Sequence, residues 1–114
     1  MAAKSIFKKI IDREISARIV YEDELCLAFE DIHPQAPTHL IVISKKEIPT
    51  VNDVCAEDEA IVGHLFSAMR AIAAKLGLSG GYRVVTNCGP DAGQEVMHLH
   101  FHMLAGRKFT WPPG

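Results

Sequence analysis

The stretch His98-Leu99-His100-Phe101-His102-Met103-Leu104 places three of the chain's six histidines at two-residue spacing. In a strand, alternate side chains share a face. His98, His100 and His102 are therefore expected on one side, with Leu99, Phe101 and Met103 on the other in apolar packing. A core face would not select three imidazoles, because each buried ring needs hydrogen-bond partners. A solvated face would not need so regular an apolar alternation behind it. The spacing predicts a strand over residues 96–104 and a site on its imidazole face.

The rest of the chain divides around this strand. Ser5 is placed to cap a short helix in which Ile6, Phe7, Ile10 and Ile11 share one side. Ile19 to Tyr21 and Leu25 to Phe29 read as a hairpin turning at Glu22-Asp23-Glu24. Pro34 and Pro37 enforce an extended loop, and residues 39–44 form a β-branched strand. From about Ala56 to Leu76, an apolar stripe of Ile61, Val62, Leu65, Phe66, Met69, Ile72 and Leu76 predicts a long helix ended by Gly77. His64, at the edge of that stripe, reads as plain surface. After the Gly80-Gly81 turn, residues 82–87 form a strand, and the glycine-bearing loop Cys88 to Glu95 leads into the histidine strand. With short connections and no linker or repeat, the expectation is one domain over residues 1–114. It is α+β, an antiparallel sheet of about five strands with two helices and the histidine strand inside. The strands at 82–87 and 96–104 should be neighbours.

Composition narrows the function. The 114 residues are 48% hydrophobic and 23% charged with net charge −2, ordinary globular values. Scattered positive charge argues against a nucleic-acid face, which relies on clustered Lys and Arg. No run approaches the roughly 20 apolar residues of a membrane span. Lys4, Lys8, Lys9, Asp12, Arg13 and Glu14 leave no apolar signal core. Cys26, Cys55 and Cys88, an odd count without C-x-x-C spacing, suit a reducing compartment, so a cytoplasmic location is expected.

From residues alone two chemistries stay open. Three histidines on one face suit zinc with an open fourth position, with Glu95 as a conceivable carboxylate base. Histidines equally suit acid, base or nucleophilic work near neutral pH. The adjacent loop Gly89-Pro90-Asp91-Ala92-Gly93-Gln94 favours the second, because glycines let backbone N–H groups converge on an anion such as phosphate.

The motif has the His-φ-His-φ-His-φ-φ form, φ being apolar, and so resembles the signature of the histidine triad family. "SIFKKII", "DIHPQAPTHLIVI", "GYRVV", "GQEV" and the terminal "WPPG" extend the resemblance from about Ser5 to Gly114. They are similar to its nucleotide-binding, Hint-type branch. The resemblance implies a purine nucleoside phosphoramidase that needs no metal or other cofactor. His100 would be the nucleophile, attacking the α-phosphorus of a nucleoside 5′-phosphoramidate to give a nucleotidyl-histidine that water cleaves. His102 would contact phosphate oxygens or the leaving group, with His98 and His39 orienting the nucleophile. Asp31 would accept the ribose hydroxyls, although by itself it also suits a turn. Phe7, Ile10, Phe29 and Ile32 would form the slot for the base. Asn87, Gly93, Gln94, Glu95 and Val96 match ribose- and phosphate-contacting positions. The family pairs its sheets across a two-fold axis, which implies a homodimer with one continuous sheet, and the apolar tail Phe109, Trp111, Pro112 and Pro113 suits such an interface. His33, Glu30, Glu95 and Met97 depart from the family pattern and put leaving-group preference in doubt. A nucleotide-binding regulatory module and a dinucleoside polyphosphate hydrolase are the alternatives.

Overall fold

The computed structural model describes residues 3–114. Helix α1 spans Ile6–Ile11, and Ser5 caps it by accepting a hydrogen bond from the Lys8 N–H at 3.0 Å. Strands β1 (Ile19–Glu22), β2 (Cys26–Glu30) and β3 (Thr38–Ser44) follow. Helix α2 (Glu59–Leu76) ends at Gly77, whose left-handed φ of 66° only glycine adopts without steric cost. Strands β4 (Tyr82–Val85) and β5 (His100–Ala105) complete one antiparallel sheet in the order β1-β2-β3-β5-β4. The histidine strand is thus interior and paired with β4, as its sequence predicts.

The sheet is covered on both faces, which explains the unbroken apolar runs in β2 and β3. Cys26, Ala28, Leu40, Val42, Phe101 and Met103 meet Leu65, Ala68, Met69 and Ile72 of α2 on one face. Leu27, Phe29, Ile41 and Ile43 meet Phe7 and Ile10 of α1 on the other. His100 pairs with Ile43 and His102 with Ile41, so both histidines belong to the α1 face.

Four details differ from the sequence expectation. The last strand starts at His100, because residues 96–99 turn tightly: the His98 N–H bonds the Val96 carbonyl at 2.9 Å and the Leu99 N–H bonds Ile48 at 2.6 Å. β4 stops at Val85, since Thr86 turns its hydroxyl onto the His100 carbonyl at 2.8 Å. On α2, Ala68 is buried while Phe66 is 52% exposed, lying edge-on to Phe101 at the border of the contact. A small residue fits where helix and sheet approach closely, and the large ring is displaced sideways. His64 is not plain surface: its Nε2 lies 2.6 Å from Asp23 in the β1–β2 turn, a neighbour that only the tertiary fold supplies.

A close approach fixes the proline loop. Gly106, directly after β5, has φ 95°, and a Cβ there would lie 2.8 Å from the Pro37 Cβ. The loop before His39 therefore rests against the end of the histidine strand.

Candidate active site

The histidine face is organised by hydrogen bonds whose polarity can be worked out atom by atom. The Nε2 of His98 is 2.7 Å from the Ser44 carbonyl, which can only accept, so this nitrogen carries the proton. Its Nδ1 is therefore the acceptor and faces the Ser5 hydroxyl at 3.2 Å. Ser5 uses one lone pair for the Lys8 N–H of α1 and donates its proton to His98. Sequence reading assigned Ser5 a helix cap alone; its 93-residue separation from His98 hides the second task.

The carbonyl of His98 in turn receives a hydrogen bond from the Nδ1–H of His100 at 2.6 Å. The proton of His100 is thereby placed on Nδ1, leaving Nε2 as the bare lone pair. Phe7 meets this ring edge-on at 4.9 Å between centroids, and Thr86 holds the backbone carbonyl of His100. Phe7 also lies 5.5 Å from Phe29, centroid to centroid, so α1 pins the nucleophile candidate against the sheet.

A second relay runs to His102. The Gln35 backbone N–H donates to Nδ1 of His39 at 3.0 Å, so a neutral His39 is protonated on Nε2. That nitrogen is 2.9 Å from Nδ1 of His102 and 3.4 Å from Oδ2 of Asp31. His102 consequently accepts at Nδ1 and carries its proton on Nε2. The two central rings are 5.2 Å apart and present opposite functions: His100 an electron pair, His102 an N–H. Neither Gln35, acting through its backbone, nor Thr86 had a sequence signal beyond its neighbourhood to a motif residue.

Burial sets the charge state. All four rings are pushed below the ordinary histidine pKa chiefly by desolvation. For His102 the neighbouring His100 and His39 act in the same direction. His98 and His100 are drawn back partway by the carbonyls that accept their protons. Neutral imidazoles result, the form a nucleophile requires.

The remaining sequence-predicted residues take distinct places. Asp31 does two things at once, accepting the His33 N–H with Oδ1 at 2.8 Å while Oδ2 faces His39. Phe7, Ile10 and Phe29 form one buried apolar cluster with Val96 packed against it, whereas Ile32 stands 86% exposed outside it. Gln94 spans the glycine loop with its side chain. Its Oε1 accepts the Gly89 N–H at 2.9 Å, and its Nε2 donates to the carbonyls of Pro49 and Val96. The Gln94 amide thus shapes the loop, which also spends the Gly93 and Gln94 N–H groups on the carbonyls of Pro90 and Gly89. Asn87 is half-buried at the start of this loop, and Gly93 and Glu95 are exposed. A cavity of about 580 Å³ lined by Ser5, Ile6, Glu47, Glu95, Val96 and His98 adjoins the site.

The zinc alternative finds a different set of donors from the one the motif suggests. Among the described residues, Asp31, His39 and His102 bring donor atoms within 4.8 Å of one another, while His98 and His100 join no such group. His98 and His100 spend ring nitrogens on backbone carbonyls instead.

Residues 12–109 match the model of the HIT domain. The chain belongs to the HIT-domain family. An uncharacterized HIT-like protein of Synechococcus elongatus is 55% identical over 114 residues, covering 100% of both chains. The structure of a HIT family hydrolase from Legionella pneumophila superposes with a TM-score of 0.94 at 48% identity, covering 97% of this chain and 100% of that one. A histidine triad nucleotide-binding protein from Candida albicans gives 0.82 at 27% identity, covering 96% and 83%. The matched residues take in all five strands and the four histidines of the site, while α1 and its Ser5 cap precede them.

Proposed function

We propose that this HIT-domain chain hydrolyses a nucleoside 5′-phosphoramidate, with a purine nucleoside favoured, and releases the nucleoside monophosphate. The observation that carries the proposal is the opposite polarity of His100 and His102. In the first step the lone pair on Nε2 of His100 attacks the α-phosphorus, and the P–N bond to the leaving amine breaks. The Nε2–H of His102 protonates that amine as it departs. In the second step water attacks the nucleotidyl-histidine, gives its proton to Nε2 of His102, and frees His100. Splitting one displacement into two lowers each barrier, and neutral imidazole is a competent nucleophile and leaving group. His98 and His39 act as positioning residues that hold the two tautomers.

In this scheme Asp31 accepts the ribose hydroxyls, a task suited to its two oxygens. Phe7, Ile10 and Phe29 form the floor of the base slot, and the exposed Ile32 is free to cover it. Asn87 and the segment Gly93, Gln94, Glu95 and Val96 hold ribose and phosphate. No metal or cofactor takes part. The hydrolase and nucleotide-binding descriptions of the Legionella and Candida relatives support the substrate class. A homodimer in a reducing cytoplasm completes the proposal; the three cysteines are free. A monomer at micromolar concentration in light scattering would remove the dimer.

The test is turnover of adenosine 5′-phosphoramidate beside a diadenosine polyphosphate. The phosphoramidate should be consumed much faster. Cleavage of the dinucleotide alone would make the protein a dinucleotide hydrolase. AMP binding without turnover of either would make it a binding module.

A further inference from the structure

A second group of chemistry-bearing side chains lies on the opposite face of the sheet, against α2. Asp23 sits in the β1–β2 turn, Cys26 opens β2, and His64 comes from the first half of α2. One carboxylate oxygen, the thiol sulfur and one imidazole nitrogen all lie within 4.8 Å of one another. Cys26 is wholly buried, while the side chains of Asp23 and His64 are 27% and 32% exposed. The sulfur closes the group on the core side and solvent reaches it from the other.

The carboxylate is held from behind. Oδ1 of Asp23 accepts the backbone N–H groups of Leu25 at 2.8 Å and Cys26 at 2.9 Å, and Tyr21 donates its hydroxyl to Oδ2 at 3.0 Å. Burial pushes the Asp23 carboxyl up, but hydrogen bonds from His64, Leu25, Cys26 and Tyr21 outweigh it and hold the group well below the usual carboxylate range. The thiol beside it is pushed up to about 12, first by burial and then by the Asp23 charge. That makes Cys26 a poor free nucleophile. A divalent cation reverses the local field and takes the sulfur as thiolate.

We propose that Asp23, Cys26 and His64 bind a borderline-soft divalent cation of the Zn²⁺ type, with the fourth position open to water. Carboxylate, thiolate and imidazole are zinc ligands, whereas Mg²⁺ and Ca²⁺ take oxygen donors. Binding releases the Cys26 proton to solvent, and two negative ligands then balance the two positive charges. Nitrogen and oxygen ligands of a tetrahedral zinc lie roughly 3.4 Å apart. His64 must therefore swing outward from its 2.6 Å contact with Asp23, which its partly exposed ring permits. The Tyr21 hydroxyl and the two amides orient the carboxylate, as partners behind a metal ligand commonly do. The ion ties the β1–β2 turn to α2 on the sheet face opposite the histidine relay, so it stabilises the fold and leaves the chemistry to His100.

The experiment titrates metal-stripped full-length protein with Co²⁺ and then Zn²⁺. One equivalent of Co²⁺ should produce a thiolate-to-cobalt charge-transfer band in the near ultraviolet, Zn²⁺ should displace it, and Zn²⁺ should raise the melting temperature. The band should persist in Cys55→Ser and Cys88→Ser. It should weaken at least about tenfold in apparent affinity in His64→Gln and Asp23→Asn, which leave the buried sulfur and the core in place. The exposed set of Cys55, Glu57 and Asp58 also contains a thiol, so loss of the band in Cys55→Ser would overturn the assignment. Cobalt bound without a thiolate band, binding unchanged in His64→Gln, or no binding at micromolar metal would each overturn it too, leaving Asp23 and His64 as a hydrogen-bonded staple only.

Discussion

The ring of His100 donates its Nδ1–H to the carbonyl of His98, two residues earlier, at 2.6 Å. That one contact determines which nitrogen of the ring keeps its lone pair. A carbonyl cannot donate, so the tautomer follows from the backbone of the turn that precedes β5. In the proposed mechanism, replacing His100 removes the route to a covalent intermediate but not the surfaces assigned to the nucleotide. His100→Ala should lose roughly 10⁴-fold or more in kcat and still bind AMP by calorimetry. Rapid quenching of the unaltered protein should place a nucleotidyl adduct on the peptide containing His100. Near-normal turnover in His100→Ala, or an adduct confined to His98 or His102, would show that the wrong histidine has been named.

In the proposed mechanism His39 acts only through its contact with His102, so it should matter less. Without its ring, the Gln35 N–H and Nδ1 of His102 lose partners at a buried position, a cost of about 1–3 kcal/mol. His39→Ala should therefore lower kcat by roughly ten- to a hundredfold. An orienting role predicts that KM changes little. It also predicts that the acid limb of the pH–rate profile moves, because the His102 ring has lost a neighbour that holds its charge down.

Acid should weaken both rate and fold. His39, His98, His100 and His102 have folded-state pKa values below the unfolded value of about 6.5. Between the two values the unfolded chain binds more protons than the folded one, so stability rises with pH there. Full stability is expected above about pH 6.5, with progressive loss as the pH falls through the window beneath it. Denaturant midpoints at roughly pH 7.5 and 5.5 measure this. Over the same range kcat/KM should hold near neutrality and fall on the acid side, with an apparent pKa below that of free histidine. A midpoint that rose on acidification would contradict the buried neutral histidines.

Gly106→Ala tests the seat of the proline loop. The added methyl meets Pro37 at 2.8 Å on a backbone with φ 95°, and overpacking of this kind costs roughly 1–3 kcal/mol. The melting temperature should drop, and kcat with it, because the loop carries Gln35 and ends at His39. Gly80→Ala is the control, since nothing lies within 4 Å of a Cβ there.

Chelator treatment separates the two faces of the sheet. With the metal proposed at Asp23, Cys26 and His64 removed, the melting temperature should fall while phosphoramidate turnover survives. Loss of turnover restored by zinc would return the histidine face to the metal reading and demote His100.

Much of this protein is legible in its sequence. The alternation in His98 to Leu104 announces a strand with one imidazole face, realised from His100 onward, because side-chain period and backbone pleat are the same quantity. Ser5, Gly77 and the apolar stripe of α2 announce their elements through local chemistry. The resemblance carried by His39, Asp31 and the terminal segment points to the family that the HIT-domain match establishes.

What the sequence could not contain is which distant groups meet. His98 pairs with Ser44 and Ser5, His39 with His102, and His64 with Asp23 only after the sheet has closed and both helices have packed. The alternation by itself puts three histidines on one face without distinguishing their partners. The fold divides them instead: His98 is sequestered before the strand begins, His100 is left with a bare nitrogen, and His102 with a proton. Residue spacing fixes the direction in which a side chain leaves its own backbone. The partner on the far side, and hence the tautomer and the charge, belongs to the tertiary structure.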